Sequence, residues 1–266
     1  MRAEEHAKAA ADLLGAEESG TQIGLLSQLH KDMSMDDAYA IQNQIAKAKL
    51  AQGLSVIGWK IGLTSKAMQY ALNIDIPDSG ILFSNMAFDD GASIPKGRFI
   101  QPRIEAEIAF IMKGPLGGSE VTRADVIAAT DYVSPAIEIL DTRIKRIDDV
   151  TGKGRSVLDT ISDNAANAGI VLGAQKHKSE AFDLRWVGAI TSRNGAVEET
   201  GLGAGVLNDP IESVVWLARR MAQYGQQIAA GQIILSGSFI RPIECPSGAH
   251  IQADFGDFGT VDIAFE

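Results

Sequence analysis

The chain has 266 residues and carries 24 basic and 34 acidic side chains, which gives a formal net charge of −10. Hydrophobic residues make up 45% and charged residues 22% of it, a composition typical of a globular protein and not of a disordered chain. The acidic excess argues against a nucleic-acid binder and against a protein that docks on anionic membranes.

Cysteine usage and the N-terminal segment indicate the compartment. Cys245 is the single cysteine, so no disulfide can form within the chain and nothing points to an oxidising environment. The first 20 residues lack the apolar core of a signal peptide, and no stretch approaches the roughly 18 apolar residues of a membrane span. We therefore expect a cytoplasmic protein without a membrane partner.

The predicted elements begin with a helical segment over residues 1–53. Residues 3–14 are rich in alanine. Ser34 and Asp37 have the spacing of a capping box, and the apolar stripe that follows them ends near Gly53, where a C-terminal glycine is expected. Residues 54–266 change in character and predict a mixed β body, although the whole chain can also form one continuous domain over 1–266.

The body is predicted to consist of short strands with a few helices. Asn194 and Gly195 are a hairpin turn signal, Thr122 caps a short helix, and Pro210 opens a longer one that ends at Gly225. The predicted strands cover residues 55–61, 100–112, 136–140, 189–192, 196–198, 232–239, 250–255 and 260–265, and a further short helix covers 65–72. Doubly wound sheets and TIM barrels alternate strand and helix, so this order indicates an α+β fold instead.

Two glutamates stand side by side in the strand predicted over 100–112. Residues i and i+2 of a strand point to one face, so Glu105 and Glu107 are neighbours while Ala106 and Ile108 face the other way. Adjacent carboxylates repel each other, and a hard divalent cation such as Mg²⁺ or Mn²⁺ removes that conflict. The alternative is a solvated strand face with two ordinary surface acids, and the spacing alone favours neither.

Glu138 strengthens the metal interpretation because it lies in the middle of an apolar strand, where an unpartnered carboxylate is costly to bury. A solvent-facing position is the alternative, and Asp141 and Arg143 nearby can form an ordinary ion pair. Zinc is disfavoured, since the four histidines are scattered along the chain and Cys245 has no cysteine partner.

Lys60 and Asp78 are the next charged residues of interest, and each has an ordinary structural interpretation. Lys60 lies in the middle of an apolar strand, where a lysine is most often paired or extended towards water, and Asp78 stands in a sequence typical of a turn. The segment around Lys60 resembles a phosphate loop in composition, but its spacing differs from that motif. The glycine-rich stretch 201–205 lacks the strand–turn–helix context of a dinucleotide loop.

Two polar segments do not indicate a function on their own. Residues 163–169 combine an acid with two amides and can cap a helix or line a polar pocket. Gly237, between Ser236 and Ser238, interrupts an apolar strand, and such a glycine often marks close approach of backbone or ligand.

Together these motifs resemble the hydratase and decarboxylase family of the meta-cleavage pathways, within the fumarylacetoacetase-like superfamily. The resemblance covers nearly the whole chain beyond residue 35 and rests on residues 58–65, 77–80, 102–107, 135–138, 163–169 and 231–238. Residues 157–170 and 184–186 are most similar to the branch that hydrates 2-oxohept-4-ene-1,7-dioate in homoprotocatechuate breakdown.

The resemblance implies a mostly β body, a distorted β-roll or sandwich like the C-terminal part of fumarylacetoacetase, with flanking helices and usually assembled as a homo-oligomer. It implies Mg²⁺, or Mn²⁺, held by Glu105, Glu107 and Glu138. It also implies that Lys60 and Asp78 move protons near the substrate, and it leaves open which of them is acid and which is base.

The implied substrate is a 2-hydroxy-2,4-dienoate, whose C1 carboxylate and C2 oxygen can chelate the metal while water adds to carbon 4. A desolvated lysine beside Mg²⁺ is expected to have a lowered pKa, which suits a general base. Candidate residues that line the substrate are Ser162, Asn164 and Ser238. Candidates for binding a distal carboxylate are Arg103, Arg155, Arg185 and Arg241.

Other functions remain open. Hydration of 2-hydroxypenta-2,4-dienoate and decarboxylation of 4-oxalocrotonate would use the same chelate. Hydrolysis of a carbon–carbon bond is less favoured, because no histidine lies beside the acid motifs. A catalytically silent subunit that stabilises a pathway decarboxylase is disfavoured by the intact Lys60, Asp78 and three glutamates.

Overall fold

The computed structural model describes residues 1–72, 74 and 76–266, and its helices and strands follow the predicted order closely. In these residues the helices are α1 (Ala3–Ser19), α2 (Leu26–Leu29), α3 (Met35–Ala51), α4 (Lys66–Leu72), α5 (Arg123–Ala129), α6 (Val157–Ser162) and α7 (Pro210–Gln223). The strands are β1 (Val56–Gly62), β2 (Asp78–Phe83), β3 (Ala87–Phe88), β4 (Ala92–Ile94), β5 (Arg103–Met112), β6 (Thr130–Leu140), β7 (Asn167–Leu172), β8 (Gly188–Arg193), β9 (Ala196–Leu202), β10 (Ile233–Leu235), β11 (Ile243–Glu244), β12 (His250–Asp254) and β13 (Thr260–Phe265).

The N-terminal helices form as their capping signals predict. The Ser34 hydroxyl accepts from the Asp37 amide at 3.2 Å, and the Asp37 carboxylate accepts from the Ser34 amide at 2.9 Å. Helices α1 and α3 pack on each other, and their apolar faces form one cluster with Ile144 and Ile161 of the β body. The helical segment therefore shares a core with the body, and a domain boundary at residue 53 stays a prediction.

A large mixed sheet holds the candidate site. Its strands run in the order β2-β1-β10-β5-β6-β7-β3, and β11 pairs with the end of β5. Strand β6 begins at Thr130, earlier than predicted, whereas β10 ends at Leu235 and not at Phe239. The chain leaves β10 because Gly237 adopts a φ of 119°, a conformation open mainly to glycine.

A second sheet, ordered β4-β13-β12-β8-β9, packs against the first. Asn194 and Gly195 form the predicted hairpin turn with φ values of 54° and 81°. The main apolar cluster joins both sheets to α7, with Phe110, Ile263 and Val214 among its fully buried members. Two sheets with flanking helices confirm the α+β prediction. No helix among the described residues is long and apolar enough to cross a membrane.

Candidate metal centre and active site

Three glutamates meet on one face of the large sheet. Glu105 and Glu107 point to the same side of β5, and Glu138 of β6 lies directly opposite Glu105 in the antiparallel register. One carboxylate oxygen of each lies within 4.8 Å of those of the other two. Glu107 and Glu138 are 0% exposed, and Glu105 keeps partial contact with solvent. The alternative of a solvated strand face is therefore wrong for Glu107 and Glu138.

The electrostatics of this cluster favour a bound cation. Burial, followed by the charges of Glu138 and Asp78, raises the pKa of Glu105 to about 8. Burial and the two neighbouring glutamates raise the pKa of Glu107 well above its ordinary value, and burial also raises that of Glu138. A divalent ion offsets both causes, because it replaces lost hydration and cancels the repulsion.

The hydrogen bonds leave oxygen atoms available for such an ion. Glu107 accepts from the Gly237 amide through Oε2 at 2.7 Å, and Glu138 accepts from Asn167 Nδ2 through Oε1 at 2.8 Å. The second oxygen of each, Oε1 of Glu107 and Oε2 of Glu138, is buried and has no hydrogen-bond partner in the part of the chain that the structure describes. A set of carboxylate oxygens is the ligand type that Mg²⁺ and Mn²⁺ prefer, so these residues fit the ion that the resemblance implies.

Lys60 is a buried cation beside the glutamates. It lies on β1, and its Nζ is 3.4 Å from Oε1 of Glu138. Burial alone would lower the pKa of Lys60, but the charges of Glu138, Asp78 and the two remaining glutamates outweigh burial and raise that pKa. The expectation of a lowered pKa applies to a lysine beside Mg²⁺ and stays a prediction, whereas the four carboxylates by themselves stabilise the ammonium.

Asp78 opens a strand and does not form the turn that its sequence suggested. It begins β2 and pairs with Gly62 of β1. Burial raises the pKa of Asp78, while Lys60 acts in the opposite direction. Its Oδ1 is buried and has no hydrogen-bond partner among the described residues.

Gly62 allows the two candidate catalytic groups to converge. A Cβ at this position would overlap Asp78 Oδ1 and stand 3.0 Å from Lys60 Nζ. Asp78 Oδ1 and Lys60 Nζ therefore both border the space that a side chain at position 62 would fill. Only glycine leaves this space free, and the sequence analysis did not single it out.

Replacing Gly62 with alanine is expected to displace the Asp78 carboxylate and to lower turnover by about 100-fold, the cost of a misplacement of about 1 Å in an active site. Binding of Mn²⁺, followed by electron paramagnetic resonance, should be retained because the three glutamates are untouched. Gly188→Ala is the matched control, since its Cβ would meet ordinary contacts of 3.5 Å on strand β8. Equal turnover in the two variants would contradict this role of Gly62.

A polar turn over residues 163–167 connects the glutamates to β2. Three successive residues, Asn164, Ala165 and Ala166, have φ values of 52°, 54° and 57°, which costs about 1–2 kcal/mol per non-glycine residue. Hydrogen bonds hold this strained turn, since Asn164 pairs its amide with both backbone groups of Ile81 at 2.8 and 2.9 Å. The turn places Asn167 where its side-chain amide donates to Glu138. The sequence analysis noted the run of amides but missed this contact.

Arg143 anchors the start of the same turn. Its guanidinium pairs with the Asp163 carboxylate and donates to the Asp163 carbonyl at 2.7 Å. The suggested ion pair between Asp141 and Arg143 is therefore wrong. Asp141 instead accepts from the amides of Ile100 and Gln101, each at 2.8 Å.

The three candidate substrate-lining residues make intramolecular hydrogen bonds. Ser162 donates to the Leu158 carbonyl at 2.8 Å, and Ser238 donates to the Ile240 carbonyl at 2.8 Å. Asn164 is bound to β2 as described above. The structure brings Asn164 next to β2, the strand that carries Asp78, and a direct contact of Ser162, Asn164 or Ser238 with substrate stays a prediction.

Comparison with known proteins tests the resemblance directly. The chain is 48% identical over 250 residues, 94% of both chains, to 2-oxo-hept-4-ene-1,7-dioate hydratase of Escherichia coli. This chain belongs to the hydratase and decarboxylase family of the meta-cleavage pathways. The family member 2-keto-4-pentenoate hydratase of Paraburkholderia xenovorans is 38% identical over 100% of this chain and 97% of its own. No family model matches the chain.

Solved structures confirm the fold of this family. The structure of 4-oxalocrotonate decarboxylase from Pseudomonas putida G7, complexed with magnesium and adipate, has a TM-score of 0.94 and 32% identity, and the match covers 100% of this chain and 99% of that one. A fumarylacetoacetate hydrolase family protein from Yersinia pestis CO92, at 15% identity, covers 78% of this chain and 92% of its own with a TM-score of 0.56. The fold is therefore fumarylacetoacetase-like, as the resemblance implied.

Proposed function

We propose that the chain adds water to 2-oxohept-4-ene-1,7-dioate, through its enol 2-hydroxyhepta-2,4-diene-1,7-dioate, and forms 4-hydroxy-2-oxoheptane-1,7-dioate. The observation that carries the proposal is the convergence of Lys60 Nζ and Asp78 Oδ1 beside three buried glutamates. The identity to a hydratase of this substrate, 48% over 94% of the chain, supports the choice of a seven-carbon dicarboxylate. We expect a homo-oligomer in the cytoplasm.

Glu105, Glu107 and Glu138 hold Mg²⁺ in this proposal, and Mn²⁺ suits the same oxygen ligands. When bound, the ion supplies positive charge that holds the C1 carboxylate and C2 oxygen of the substrate and stabilises charge that develops on that oxygen. Asn167 and the Gly237 amide orient two of the three carboxylates, which is the usual task of groups that surround a metal site.

The first step is a tautomerisation by two proton transfers. Asp78 takes the proton of the 2-hydroxyl group, and the Lys60 ammonium gives a proton to carbon 5, which leaves a 2-oxo-3-enoate. Burial raises the pKa of Asp78, which suits a group that holds a proton, and the contact of Lys60 Nζ with Glu138 at 3.4 Å suits a lysine that starts as a cation.

The second step is the addition of water, and it restores both residues. The water oxygen bonds to carbon 4 while Lys60, now neutral, takes a proton from the water. Asp78 returns its proton to carbon 3. General acid–base transfer of this kind requires groups within hydrogen-bonding reach of the reacting atoms, and the convergence of Lys60 Nζ and Asp78 Oδ1 at Gly62 supports this part of the proposal.

Decarboxylation of 4-oxalocrotonate is the second candidate function. A decarboxylase of that substrate matches this chain with a TM-score of 0.94, which favours this candidate. Loss of CO₂ from a 2-oxo acid would use the same three glutamates and the same bound positive charge. Hydration and decarboxylation differ in whether CO₂ leaves.

The ultraviolet absorbance of 2-hydroxyhepta-2,4-diene-1,7-dioate tests the proposal, with CO₂ followed in parallel. We expect absorbance loss with Mg²⁺, no CO₂, and no reaction after treatment with EDTA. The monocarboxylate 2-hydroxypenta-2,4-dienoate should react more slowly. Release of CO₂ from 4-oxalocrotonate without any bleaching of the dienol would instead assign the decarboxylase function.

A further inference from the structure

Arg155 is a half-buried cation without an acidic partner. Its Nη1 donates to the hydroxyl of Thr142 at 2.8 Å, and no carboxylate in the described ranges 1–72, 74 and 76–266 comes within 4.0 Å of its guanidinium. A hydroxyl oxygen carries no formal charge, and Asp163 and Asp159 act on Arg155 only from beyond ion-pair distance. A buried charge of this kind is normally paired, so Arg155 is suited to receive an anion from outside the chain.

The other arginines suggested by the sequence are already paired. Arg103 binds Glu244 at 2.6 Å, and Arg241 binds Glu199 at an exposed position. Arg185 holds Asp183 through two hydrogen bonds of 2.8 and 2.6 Å.

Arg155 is connected through Thr142 to the polar turn beside the glutamates. Thr142, which it contacts, follows Glu138 by four residues in the chain, and the Thr142 hydroxyl is 3.4 Å from Oδ2 of Asp163 at the start of the polar turn. The charge of Arg155 also reaches Asp78, whose pKa it acts to lower, second only to Lys60 among the charged neighbours.

The surroundings of Arg155 strengthen its attraction for an anion. Burial lowers the pKa of Arg155, the charges of Asp163 and Asp159 act in the opposite direction, and the like charges of Arg143 and Arg103 lower it. Arg143 is committed to Asp163, whereas Arg103 stands two residues before Glu105 on the same face of β5. An incoming carboxylate would relieve this repulsion and form a charge-assisted hydrogen bond.

We propose that Arg155 binds the distal carboxylate of a dicarboxylate substrate whose 2-oxo acid end lies at the three glutamates. The inference rests on the proposed function, because it requires a 2-oxo acid in that site. Arg155 thereby makes the chain select a dicarboxylate over the corresponding monocarboxylate.

Arg220 is the rival cation near Asp78, but its surroundings differ. Its guanidinium lies over the ring of Tyr39 at 4.2 Å and over those of Trp216 and Tyr224 at 5.9 and 5.5 Å. The rings partly satisfy its charge, and its effect on Asp78 is smaller than that of Arg155.

The test compares two unreactive ligands that differ only at the distal end. Calorimetry with the Mg²⁺-loaded protein measures binding of 2-oxoheptanedioate and of 2-oxoheptanoate, whose C7 is a methyl group. The wild-type protein should bind the diacid at least about 10-fold more tightly, since a hydrogen bond to a charged group contributes about 1.5–3 kcal/mol. Arg155→Met should reduce the preference to less than about twofold, and Arg155→Lys should restore part of it because lysine keeps the charge but not the planar fork.

Matched variants separate this role from a general loss of structure. Arg123→Met removes a half-exposed arginine that pairs with Asp209 and should leave the preference unchanged, as should Arg220→Met. Binding of 2-oxoheptanoate should persist in Arg155→Met, and this result would show that the metal site is intact. A full diacid preference in Arg155→Met, or its loss in Arg220→Met alone, would overturn the inference. Equal binding of both ligands by the wild-type protein would overturn it as well, whereas no binding of either would contradict the proposed function on which it rests.

Discussion

Lys60→Met is expected to lower the turnover of 2-hydroxyhepta-2,4-diene-1,7-dioate at saturating Mg²⁺ by at least about 100-fold, the usual cost of losing a general acid–base group. Methionine fills most of the volume of the lysine stem and removes the proton that Lys60 delivers. The loss of ultraviolet absorbance of the substrate gives the turnover rate. Affinity for Mn²⁺ should be equal or higher, because the nearest competing cation, 3.4 Å from Glu138, is gone.

Lys49→Met is the matched control for this experiment. The side chain of Lys49 is 5% exposed, as is that of Lys60, and its Nζ pairs with a single glutamate, Glu17, at 2.7 Å. Its replacement should change the melting temperature more than the rate. Near-normal turnover in Lys60→Met, or an equal loss in both variants, would remove Lys60 from the proton transfers.

Glu107→Gln is expected to weaken Mg²⁺ binding by at least about 100-fold, since changes around metal ligands already cost 10- to 100-fold and this change removes a ligand charge. The glutamine carbonyl can still accept from the Gly237 amide, which Glu107 contacts at 2.7 Å, so the fold should be retained. Titration with Mn²⁺ by electron paramagnetic resonance gives the affinity without any substrate. Excess Mg²⁺ should recover part of the turnover.

The control for the metal site is Glu198→Gln on the second sheet, where Glu198 pairs with Arg193 at 2.6 Å. It should leave the Mn²⁺ affinity unchanged. An unaltered affinity in Glu107→Gln would exclude Glu107 from the ligand set, even if turnover fell.

Much of the local structure could be predicted from the residues alone. The capping box at Ser34, the hairpin at Asn194 and the shared face of Glu105 and Glu107 all appear in the structure. Each depends on residues within a few positions of one another. The proposed roles of Lys60 and Asp78 could not be inferred from neighbouring residues. They were implied by the resemblance to a family.

Errors in prediction arose where distant segments compete with local signals. Asp78 has the sequence of a turn residue, but pairing with β1 draws it into β2. Asp141 and Arg143 are close in sequence, yet Arg143 binds Asp163, because the strained polar turn brings that carboxylate to it.

The sequence by itself determined the strand that carries two adjacent carboxylates, because the period of two in a β-strand is set by covalent geometry. It also determined the acidic, disulfide-free character of the chain. Only the tertiary structure decided that Glu138 would face Glu105, that Gly62 would leave room for Lys60 and Asp78, and that Arg155 would have no carboxylate within 4.0 Å among the described residues. Those contacts join residues far apart in the chain, and their formation depends on sheet register and burial, which no local pattern encodes.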